Sequence, residues 1–135
     1  MTITVDLTLL DHVPEIEREL CARLLDAEGF SAGAAIFRGA EPSFEFSDVA
    51  SVGLAQLALT KTGLQIQAYV ADALAHGQAT RAADLRAAWM ALYQMQTAMV
   101  IALLPDDESK VAYTNRICEL TGSRPFGESD QSKMN

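Results

Sequence analysis

Residues 47–76, SDVASVGLAQLALTKTGLQIQAYVADALAH, decide the fold of this chain. At helical spacing, Val49, Val52, Leu59, Ile66, Val70 and Ala73 fall on one face, with Gln56 and Gly63 in the same stripe. Ser47 is placed to cap the start, and the alanine content favours helix. At strand spacing, Leu57-Ala58-Leu59 and Leu64-Gln65-Ile66-Gln67-Ala68 flank Thr60-Lys61-Thr62-Gly63, a hairpin with Gly63 left-handed. The first reading makes the chain mainly α, a small helical bundle. The second makes it α+β with a hairpin at 54–70. The helix is preferred, because its spacing runs on through residues 71–75.

Working outward, Gly77-Gln78-Ala79 reads as a turn and Thr80 as the cap of a second long helix. Leu85, Trp89, Leu92, Met99 and Leu103 line one face of it, broadened by Ala88, Met95, Val100 and Ala102, until Pro105 blocks continuation. The expected architecture is therefore an antiparallel central helix pair, about 47–76 and 80–104. Upstream, residues 11–28 read as an amphipathic helix. Asp11 caps it, Pro14 sits in its first turn, Val13, Ile16, Leu20 and Leu24 form its stripe, widened by Cys21 and Leu25, and Gly29 stops it. Residues 2–10 alternate apolar and polar, a short N-terminal strand. Residues 30–46 carry a short hairpin, Ala35-Ile36-Phe37 against Phe44-Glu45-Phe46, or a loop with aromatic anchors. A last helix starts near Asp106 and ends at Gly122. Residues 1–122 are expected to form one helical domain and 123–135 a polar, mobile tail.

The net charge of −8 is unevenly spread. Residues 1–48 hold ten acids against three arginines, a net −7, whereas residues 49–104 hold two acids against three bases, a net +1. Residues 105–135 hold six acids against four bases, a net −2. An acidic chain without basic clusters is a poor ligand for nucleic acid or an anionic membrane, and suits a partner with a basic surface. Residues 87–105 carry no charge and approach the length of a membrane span. Gln94, Gln96 and Thr97 interrupt them, so a helix buried on most sides is the better reading. Helices this apolar leave surface that self-association would cover, most simply in a twofold dimer. Trp89, Met90, Tyr93 and Met95 are the interface candidates.

No catalytic, cofactor or metal site is expected. The two histidines, His12 and His76, read as helix-end residues, and Cys21 and Cys118 as small buried apolar groups. There is no Glu-x-x-His pair, and the spacing of Met90, Met95 and Met99 does not make a copper(I) line. Asp106-Asp107-Glu108 and Glu15, Glu17 and Glu19 lie where helix starts favour acids. The N-terminus lacks the basic and apolar regions of a signal peptide, which predicts a cytoplasmic protein. The leading functional expectation is a non-enzymatic protein–protein interaction module, such as an adaptor, an assembly or secretion chaperone, or an inhibitor. The alternatives are a structural subunit of a phage or secretion particle, and a small-molecule binder or enzyme with a pocket between helices.

Overall fold

The computed structural model describes residues 2–5, 7–39, 43–46 and 48–121. In chain order these form β1 (Thr2–Thr4), a 3-10 turn (Leu7–Leu10), α1 (Glu15–Ala27), α2 (Ser31–Phe37), β2 (Ser43–Glu45), α3 (Val49–Ala75), α4 (Ala79–Leu103) and α5 (Asp107–Thr121). The chain divides into two compact units, residues 1–99 and 100–135. Ser47, Gly122 and the expected tail at 123–135 lie outside the described residues.

Residues 49–75 are one continuous helix, so the hairpin at 54–70 is excluded. Gly63 does not take the left-handed conformation that the hairpin required. It lies buried inside α3 facing the indole of Trp89, whose Nε1 stands 3.6 Å from where a Cβ would be, an ordinary contact distance. The first turn is capped by Asp48, whose carboxylate accepts from the backbone N–H of Ser51 at 2.7 Å and from its hydroxyl at 2.8 Å. The last turn ends at Gly77, with φ +69°. There the N–H of Gln78 donates to Ala73 and that of Gly77 to Leu74, which satisfies two orphan carbonyls and reverses the chain. The chain re-enters helix at Ala79, one residue before the expected Thr80.

Val52, Ala55, Leu59, Ile66, Val70 and Ala73 form the buried side of α3, while Val49, expected among them, is exposed. Along α4, Leu85, Ala88, Leu92, Met95 and Met99 are buried as the spacing predicts, and Trp89 is half-buried. The two helices meet through Leu59 and Gly63 of α3 and Trp89 and Leu92 of α4, and Gln96 donates to the Thr60 hydroxyl across them at 2.8 Å.

On the other flank of α3, α1 packs against α2 and α3. The same stop device ends α1: Gly29 has φ +85°, Phe30 N–H donates to Leu25 and Gly29 N–H to Asp26. The start of α1 differs from expectation, with Pro14 as its cap residue and Asp11 in the preceding turn. Of the expected stripe, Val13, Cys21 and Leu25 are buried, but Glu17 joins them one position after Ile16, which is 75% exposed, and Leu20 and Leu24 are half-buried. A one-residue shift turns a helix face by about 100°.

Residues 35–37 belong to α2 rather than to a hairpin arm. Gly33 leaves room there for the Phe30 ring, which lies 2.6 Å from where a Cβ would be. β2 instead pairs antiparallel with β1, Ile3 opposite Phe44, so the expected N-terminal strand exists but is three residues long. Phe46 then turns inward, 6.2 Å from Phe30 between ring centroids. In the second unit, α5 is capped by Asp106, which accepts from Ser109 N–H at 2.7 Å.

Helix and hairpin make opposite predictions for Leu64 and Ile66. A strand would point both to the same side, whereas α3 leaves Leu64 61% exposed and Ile66 fully buried. Ile66→Ala is expected to cost about 2–5 kcal/mol in urea unfolding. Leu64→Ala should stay within about 0.5 kcal/mol. Comparable losses at both positions would contradict the fold.

Candidate interaction surface

Among the described residues, the side of α3 turned away from its packing partners carries three exposed leucines. Leu54 is 69% exposed, Leu57 50% and Leu64 61%. Lys61 is the only charged residue from 49 to 71, and it lies 3.7 Å from Glu28 of the α1 end. Scattered exposed leucines are normal, and these three instead share one helix face whose single charge is Lys61.

Two depressions border this ridge. One lies between α3 and the α1–α2 junction, with Phe30 and Phe46 in its wall and Leu54, Leu57 and Lys61 along its α3 edge. The other, about 180 Å³, lies between α3 and α4, lined by Gly63, Leu64 and Gln67 opposite Trp89, Tyr93 and Gln96.

The four residues nominated from sequence are placed unequally. Trp89 and Tyr93 stack one helical turn apart, ring centroids 5.5 Å apart, and both face the α3–α4 depression. Met90 is 37% exposed. Met95 is fully buried and reaches no outside partner while the fold is intact. Leu54, Leu57 and Leu64, which sequence reasoning did not nominate, carry more exposed apolar surface. Their signal was present: once Val52, Leu59 and Ile66 face inward, Leu57 and Leu64 must face outward.

The remaining polar features are structural in geometry. Arg38, just past α2, grips α1 with two bonds of 3.1 Å to the Glu19 carboxylate and one of 2.9 Å to Asp26. That clamp holds the Glu19 carboxyl below its ordinary value. Glu17 is buried, and one of its carboxylate oxygens has no hydrogen-bond partner. Loss of water raises its pKa, the Asp84 carboxylate adds to the rise, and Arg81 opposes it. Burial first and Glu17 second push the Cys21 thiol up to about 12, so it carries almost no thiolate at neutral pH. His12 and His76 are exposed, and His76 Nδ1 lies 2.8 Å from the Asp72 carbonyl oxygen that closes its own helix. Among the described residues, no three histidine, cysteine, aspartate or glutamate side chains group to hold a metal ion, and no helix is long and apolar enough to cross a membrane.

No protein family, curated protein or solved structure matches this chain.

Glu17 and Glu19 give stability opposite slopes with pH. Glu17 binds its proton more tightly folded than unfolded. Its contribution is therefore complete below the ordinary value of 4.5 and is lost as pH rises through the raised one. Glu19 contributes above 4.5 and is lost as pH falls through its lowered value. Glu17→Gln should melt above wild type at neutral pH in calorimetry, with the gap closing as pH falls to the ordinary glutamate value. A pH-independent gap would refute the assignment. Arg38→Ala should lower the melting temperature, and by less in high salt than in low salt.

Proposed function

We propose that this chain is a non-enzymatic protein–protein interaction module that works in the cytoplasm and docks through the outer face of α3. The observation that carries this reading is the row of exposed leucines at 54, 57 and 64 on a helix face without a carboxylate. The surrounding acidity makes a polyanion a poor occupant. Both cysteines are free and buried, in keeping with a reducing compartment. An adaptor, an assembly chaperone and an inhibitor all use such a surface. Each needs an apolar anchor row with polar groups beside it, here Lys61 and Glu28 on one side and Gln67 and Gln96 on the other.

Site-specific photo-crosslinking in the living cell tests this directly. A photoreactive phenylalanine at position 64 should give a discrete protein adduct, and the same probe at exposed Arg23 should give none. Adducts of equal yield at both positions, or none at 64, would remove the reading.

A further inference from the structure

The outer face of α3 has an internal symmetry. Leu57 and Leu64 stand three residues either side of the Thr60–Lys61 pair. Beyond them, Gly53 and Ala68 stand four residues further out, and Ala50 and Ala71 three further again. All of these positions are exposed. The spacing of this row reads the same from either end, and its residue types match: small, small, leucine, polar, then polar, leucine, small, small; Leu54, whose mate about the same centre is Gln67, breaks the match. Ala50, Leu57, Leu64 and Ala71 follow one another in steps of seven, which keeps them on one face with a drift of only about 20° per step.

We propose that the occupant of this face is a second copy of the same chain, its α3 antiparallel to the first across a twofold axis between Thr60 and Lys61. This rests on the interaction reading above and names its partner. A twofold axis requires a surface complementary to itself, and a palindromic row meets that requirement. Each Leu57 then packs beside Leu64 of the other copy. Gly53 meets Ala68 and Ala50 meets Ala71, so small residues at both ends let the backbones approach while the leucines interlock at the centre. Antiparallel helices also align their dipoles favourably.

Charge selects the same place. Two copies carrying −8 each repel wherever their carboxylates meet, and residues 49–71 hold none. The one charge in the row, Lys61, is already countered by Glu28 of its own chain at 3.7 Å. The Thr60 hydroxyl already accepts from Gln96. The polar groups nearest the axis therefore reach it with partners in place.

The test combines mass and geometry on the full-length protein. Light scattering after size exclusion should give twice the chain mass for wild type and a single chain mass for Leu57→Glu/Leu64→Glu, with unchanged helical circular dichroism. Thr60→Cys, oxidised with glutathione disulfide, should become a covalent dimer, while wild type, whose two cysteines are buried, should not. Ala71→Cys should also stay unlinked, because its mate lies about 30 Å away along the axis at about 1.5 Å per residue. A monomeric wild type overturns self-pairing, as does a dimer indifferent to the two glutamates. Ready linkage through Ala71→Cys overturns the antiparallel arrangement in favour of a parallel one. A monomeric wild type that still crosslinks from position 64 to a different protein would overturn self-pairing while leaving the interaction module standing.

Discussion

Val52, Leu59, Ile66 and Ala73 follow one another in steps of seven along α3, and all four are buried. The rest of the first unit depends on that row. It gives α3 a continuous apolar side, with α1 and α2 closing on one flank and the first part of α4 on the other. Gly63 faces the Trp89 ring, and Ala55 and Ala58 line the α1–α2 side. Burying an isoleucine or leucine contributes about 1.5–3 kcal/mol each, so this single row outweighs any polar contact on the surface.

The same helix carries a second row of seven-residue steps, Ala50, Leu57, Leu64 and Ala71, two positions out of phase and fully on the outside. A helix apolar on opposite sides normally lies in a core or an interface. Here one side is core and the other, carrying Leu57 and Leu64, is exposed. The acidic first third bears on this indirectly. By concentrating charge elsewhere, it leaves residues 49–71 without a carboxylate of their own, with Glu28 of the α1 end reaching in to Lys61.

The polar groups inside the fold fit a structural account. Arg38 ties α2 back onto α1 through two carboxylates, and Asp48 and Asp106 cap helices. Glu17 is the exception. It is a buried carboxylate with an unpartnered oxygen, at a position where an apolar residue would pack without desolvation cost. It stands on the buried side of α1 where Ile16 was expected, and no amphipathic pattern would predict that.

Much of the secondary structure was legible in the residues themselves. Although two start caps moved, from Asp11 to Pro14 and from Ser47 to Asp48, helical spacing and the glycines at 29 and 77 are local properties, set by backbone sterics and nearest hydrogen bonds. They sufficed for α1, α3, α4 and α5 to within a few residues. The tertiary structure decided what local rules leave degenerate. It turned Val49 out of the expected α3 row, put Glu17 rather than Ile16 on the buried side of α1, and made residues 31–37 a helix with the Phe30 ring over Gly33. It also paired β2 with the N-terminus rather than with its neighbour in sequence. The candidate surface divided the same way: the leucines of its outer row are plain in the sequence, but their exposure is not. Periodicity tells how residues share a face, whereas the face that is buried depends on which surfaces elsewhere in the chain can cover it.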